Sequence, residues 1–152
     1  MKKFKFQLAT LLKVSEHKKD QAQIIFAEAD TKLLVEEEKM EQVLAAYEQC
    51  LQDYYEVTKK SIGIDELKTY AVYFEKLQND IKNQQEQVRI AVEYKNCCLK
   101  KLEEEISKLK TIEQLKEKKI EEYKTDLLQT EQKELDEIGL QPTVLHDYTQ
   151  VC

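Results

Sequence analysis

The chain has 152 residues, of which 36% are charged, against about 25% in an ordinary globular domain. Two glycines, one proline and no tryptophan cannot supply the turn chemistry that α/β and all-β folds need at short intervals. Hydrophobic residues at 41% are too many for a disordered tail, so one domain at most, built of long helices, remains.

The formal net charge is −6, which argues against a nucleic-acid partner, because phosphate backbones require a clustered cationic surface. Arg89 is the single arginine among 24 basic residues, so bidentate recognition of phosphate is nearly absent. No apolar run approaches the ~20 residues of a membrane span, and no transmembrane segment is expected. The opening MKKFKFQLATLLKV has the basic start of a signal peptide, but Lys5, Gln7 and Lys13 break its apolar stretch, and no small-x-small cleavage site follows. The chain reads as cytosolic. Cys50, Cys97, Cys98 and Cys152 lack C-x-x-C spacing, and His17 and His146 lie far from the vicinal pair. Reduced thiols are expected, with no metal and no cofactor.

In chain order, Phe4 to Ser61 contains no proline or glycine and repeats every seven residues. One stripe is Leu8, Ser15, Ala22, Ala29, Glu36, Val43, Cys50 and Val57; the other is Leu12, Lys19, Phe26, Leu33, Met40, Tyr47, Tyr54 and Ser61. Twelve of these sixteen are apolar, where chance would give about six or seven. The spacing predicts a first helix over about 4–61. A turn is expected over about 62–65, with Gly63 closing the first helix in a left-handed conformation and Asp65 capping the second.

From residue 66 the period resumes. Its stripes are Leu67, Phe74, Ile81, Val88, Lys95, Leu102 and Leu109, with Tyr70, Leu77, Gln84, Ala91, Cys98, Glu105 and Ile112. Beyond Ile112 the pattern drifts through Leu115, Ile120, Tyr123, Leu127, Leu128, Leu135 and Ile138, as in a helix leaving a regular seam. Gly139 and Pro142 are expected to stop this second helix at 138 and leave a flexible tail over 139–152. So short a connection makes antiparallel neighbours. The fold class is therefore all-α, a long antiparallel two-helix coiled-coil hairpin over 1–138, whose residues face one another when their numbers sum to roughly 124–128. Helix 2 should overhang helix 1. Such a hairpin offers no concave pocket for a substrate, and runs such as Glu36-Glu37-Glu38 point in different directions around a helix. No enzyme is expected, and no catalytic residues. Function lies in surfaces that bind other proteins.

Three blocks resemble the FliJ family of bacterial flagellar type III export. Phe4-Lys5-Phe6-Gln7-Leu8 with Leu11-Leu12 resembles the family's opening F-x-F-x-L-x-x-L-L. Leu67 through Tyr70, with Phe74, Leu77 and Ile81, resembles the start of its second helix. Ile112 to Lys118 and Glu131 to Glu137 resemble its L-x-x-L-K-E-K and closing E-x-K-x-L-D-E. The resemblance implies a non-enzymatic cytoplasmic component, similar to the stalk subunit of rotary ATP synthases and peripherally associated with the inner face of the membrane at the flagellar base. Implied partners are the flagellar export ATPase and its regulator, the cytoplasmic domain of the export gate protein, and export chaperones whose cycling it assists.

Two surfaces follow as expectations. The two chain ends share one end of the hairpin, so the export ATPase tip is expected at Phe4, Phe6, Leu8, Leu11, Leu115, Tyr123, Leu127 and Leu135. The gate surface implied by the family is Met40, Leu44, Tyr47 and Leu51, with Tyr73, Leu77, Asp80 and Gln84. Leu44 and Leu51 fall one position after Val43 and Cys50, in a series otherwise mostly polar (Glu16, Gln23, Asp30, Glu37, Thr58), and Tyr73 is one position before Phe74. These off-seam apolar residues are expected at one axial level. The alternative is a wide seam that buries both leucines. Other readings of the whole are a structural coiled-coil tether or scaffold, whose off-seam faces would be polar throughout, and a prefoldin-like holdase, which would need β-hairpin sequence between its helices.

Overall fold

The computed structural model describes residues 3–149, with side chains described as far as residue 140. Two helices, α1 over Ala9–Thr58 and α2 over Ile64–Thr149, pack against each other in a hairpin. The heptad pattern is the reason. Every stripe residue of α1 from Leu12 to Val57 is buried or half-buried, as is every stripe residue of α2 from Tyr70 to Ile112. Off the stripes, Asp30 and Leu51 in α1 and Asp80 in this part of α2 are half-buried, and the rest is exposed. A period of 3.5 keeps one seam facing the partner helix, and α1 and α2 hold to it over these stretches.

Helix boundaries differ from the expected ones. Helix α1 does not begin at Phe4: residues 3–8 are non-helical, and the Ala9 and Leu12 amides donate to the Phe6 and Leu8 carbonyls at 3.2 and 2.9 Å. No Ser, Thr, Asp or Asn precedes Ala9 to cap an earlier start, and the Phe4 ring packs on Tyr123 of α2 instead. The connection covers 59–63. Gly63 is not left-handed; its carbonyl accepts the Leu67 amide at 3.1 Å, so it stands just ahead of α2. Asp65 therefore lies inside the first turn with Glu66, where both carboxylates oppose the positive end of the helix dipole. Nor does α2 stop at Gly139. It continues to Thr149, through a glycine that also keeps an ordinary negative φ and past Pro142. One glycine costs a helix about 1 kcal/mol relative to alanine, which lowers helix stability without dictating an end. Of the expected tail, 150–152 lie outside the described residues.

The chain divides into two compact units: Met1–His17 with Ser107–Cys152, and Lys18–Ile106. In the second, an aromatic series fills the seam near the connection. Phe74 meets Tyr47 and Tyr54 edge to face, each with centroids 5.7 Å apart, and Tyr54 meets Tyr70 at 5.5 Å. In the first unit the seam on α2 passes through Lys116, Ile120, Tyr123 and Leu127, all half-buried. Two consecutive steps of four, from Ile112 to Lys116 and from Lys116 to Ile120, make Leu109 to Ile120 an eleven-residue interval in place of a heptad, which locally unwinds the supercoil. Leu115 thereby falls outside the seam.

Candidate protein-binding surfaces

In the unit Lys18–Ile106, the expected gate residues divide by their place in the seam. Leu77 is 5% exposed and belongs to the core. Met40 and Tyr47 are half-buried stripe residues, the latter against Phe74. Leu44 and Tyr73 are each 45% exposed, and Leu51 and Asp80 are half-buried. The wide-seam alternative therefore fails for Leu44. Gln84 bridges the two helices: its amide donates to the Glu36 carbonyl at 2.9 Å and to the Glu36 carboxylate at 2.6 Å. That hydrogen bond holds the Glu36 carboxyl below its ordinary range, helped by Lys39.

Leu51 and Tyr73 are level but do not form one patch. Asp30, in the same seven-residue series as Leu44 and Leu51, takes the Lys95 ammonium at 2.8 Å; that ammonium also sits 5.9 Å from the Phe26 ring centroid. Lys101, in the same series as Tyr73, shares a groove with Lys18 and Ile25 instead. These precede stripe residues of α1, whereas Leu44 and Leu51 follow them. Leu44 and Leu51 therefore lie on one flank of the seam, Tyr73 and Asp80 on the other. Residue numbers reveal axial level, but the flank depends on which side of the stripe a residue falls in each of two antiparallel helices.

Tyr73 has an exposed apolar neighbour that lies off both stripes. Val72, 67% exposed, joins Lys68, Thr69, Tyr73 and Lys76 in a shallow groove on α2. Farther along α2, Val92, Leu99 and Ile106 are exposed at seven-residue spacing. Their signal in the sequence is that very spacing, one position past the second stripe. Arg89 is not free for a ligand, being held by Glu86 and Glu93 of its own helix. Burial raises the Cys50 thiol above its ordinary value, with Asp53 adding to the effect.

In the unit Met1–His17 with Ser107–Cys152, the expected ATPase-tip residues form two groups. Phe4 and Phe6 are half-buried, and Phe4 meets Tyr123 at 5.6 Å. They line a cavity of about 430 Å³ with Leu8, Leu115, Tyr123 and Asp126 among others. Leu127 is half-buried, and Leu11 is exposed on the first turn of α1. Leu135 stands apart with Leu128, Ile138 and Leu140, all more than 60% exposed. From 128 to 140 the segment holds four carboxylates (Glu131, Glu134, Asp136, Glu137) and one lysine, Lys133, so its apolar residues are set in an acidic surround.

Among the described residues no helix is long and apolar enough to cross a membrane. A family model described as flagellar FliJ protein matches residues 4–142. No curated protein matches. The fold is similar to the solved structure of a YscO homologue from Chlamydia trachomatis, with a TM-score of 0.68 and 20% identity, covering 95% of this chain and 98% of that one.

Proposed function

The chain belongs to the flagellar FliJ family, and from that premise we propose that it is a non-enzymatic component of the flagellar type III export apparatus, linking the export ATPase complex to the membrane export gate and assisting export chaperones in their cycle. One observation carries this reading: a single family match spans both helices and the connection, residues 4–142, so the whole hairpin is the matched module rather than a shared coiled-coil stretch. Its place is the cytoplasmic face of the membrane at the flagellar base. The export ATPase and its regulator meet the unit holding both chain ends, where α2 carries Leu128, Leu135 and Ile138 beyond the seam. The cytoplasmic domain of the gate protein meets the flank of Leu44 and Leu51.

A tether that only spaces other domains would have polar off-seam faces. Exposed Leu44, Tyr73 and Val72 favour a partner-binding role, since apolar surface left to water is a liability unless another protein covers it. The test is affinity capture of the full chain from the native cytoplasm. The export ATPase is expected among the retained proteins; its absence, with the bait intact and helical, overturns the reading.

A further inference from the structure

We propose that the Glu36–Gln84 pair is a register lock, a polar layer that disfavours alignments of the two helices slipped by one heptad. The inference stands apart from the functional reading above and concerns how the hairpin finds one alignment.

A heptad seam alone does not choose a register. Sliding one helix by seven residues puts apolar stripe residues opposite apolar stripe residues again, at the cost of a few residues unwound beside the connection. Polar residues in the seam break that degeneracy, as single buried polar residues do in other coiled coils. Glu36 interrupts its stripe between Ala29 and Val43, and Gln84 interrupts its own between Leu77 and Ala91. In the observed register they meet: the Gln84 amide reaches both the carbonyl and the carboxylate of Glu36, and the Glu36 side chain is 14% exposed. After a slip of one heptad, Glu36 would face Leu77 or Ala91, and Gln84 would face Ala29 or Val43. Both polar groups would then lie against apolar neighbours without their partner, which is the costly state for a desolvated carboxylate and amide. The pair thus penalises wrong alignments more than it stabilises the right one.

The Lys95–Asp30 ion pair, 2.8 Å across the same seam, supplies a readout in the full-length protein. A carbodiimide joins touching ammonium and carboxylate groups without a spacer, and peptide mass spectrometry identifies the bond. In the observed register Lys95 is joined to Asp30. A slip in one direction brings Lys95 to Glu37; in the other it brings Lys95 to Gln23, which cannot react. The double variant Glu36→Leu with Gln84→Leu should melt several degrees higher than the parent, yet lose at least half of its Lys95–Asp30 product and gain Lys95–Glu37. Each single leucine variant should melt lower, because one polar group is left alone. The exchanged pair, Glu36→Gln with Gln84→Glu, should keep a single register. Two results overturn the proposal: an undiminished Lys95–Asp30 product in the double leucine variant, or a double variant that melts lower than either single one.

Discussion

Tyr54 meets Phe74 edge to face, with ring centroids 5.7 Å apart and planes at 83°, and Tyr47 meets the same ring one heptad earlier. Phe74 is therefore shared by two α1 residues, and its removal unmakes two aromatic contacts at once. Phe74→Ala should lower stability by about 2–4 kcal/mol, the ring being half-buried rather than enclosed. Urea unfolding followed by circular dichroism measures it. A loss below about 0.5 kcal/mol would mean that the aromatic series contributes nothing beyond surface packing.

The burial contrast between Leu77 and Leu44 separates core from surface. Leu77→Ala should cost about 2–5 kcal/mol, the usual range for a buried leucine. Leu44→Ala should change stability by no more than about 0.5 kcal/mol, as exposed positions do, with Leu51→Ala in between. If the Leu44–Leu51 flank meets the export gate, Leu44→Ala with Leu51→Ala should weaken binding to the cytoplasmic domain of the gate protein and reduce motility, while most of the fold survives. Tyr73→Ala, on the opposite flank, should leave that binding intact. Calorimetry with the isolated gate domain reads both.

Legibility in the sequence differs from feature to feature. The seam is legible almost residue by residue: Ala22, Ala29, Leu33 and Cys50 in α1, and Leu77, Ala91, Cys98 and Leu109 in α2, are buried where the heptads put them. Helix ends are not, since a start at Ala9 rests on where Phe4 finds a partner, and that partner, Tyr123, lies more than a hundred residues away. Gly63 and Gly139 look like helix terminators because left-handed backbone favours glycine, yet glycine is equally at ease with the negative φ both adopt. The side of the seam taken by Leu51 and Tyr73 is hidden for a different reason. It follows from the handedness of two antiparallel helices, and pairing numbers along the axis carry no such information.

Acid should weaken the hairpin through Glu36. Its carboxyl lies below the ordinary 4.5 in the folded chain because it accepts the Gln84 hydrogen bond. A group depressed on folding contributes stability above its unfolded value, and that contribution is lost as pH falls through the folded one. The melting temperature should therefore drop as the pH is lowered through 4.5 and below. Gln84→Leu removes the largest cause of the depression, so its drop on acidification should be smaller. Equal slopes in parent and variant would assign acid sensitivity to other carboxylates such as Glu86, which Arg89 also depresses.

Beyond Leu127, α2 carries Leu128, Leu135, Ile138 and Leu140 to water. A helix without packing is marginal in water even at favourable composition, and an apolar stripe in an acidic surround is not needed for solubility. The stripe makes physical sense if a second protein covers it, and the export ATPase is the partner proposed. Leu128→Ser, Leu135→Ser and Ile138→Ser together should leave the melting temperature within a few degrees of the parent, because the residues are exposed and each surface change is worth about 0.5 kcal/mol or less. Capture of the ATPase should nevertheless fall at least tenfold. Truncation after Ile112 should abolish it while circular dichroism still reports the helices of Lys18–Ile106, which form a compact unit by themselves. If the triple variant captures the ATPase as well as the parent, the contact lies elsewhere, and Phe4, Phe6 and Tyr123 around the neighbouring cavity become the residues to change.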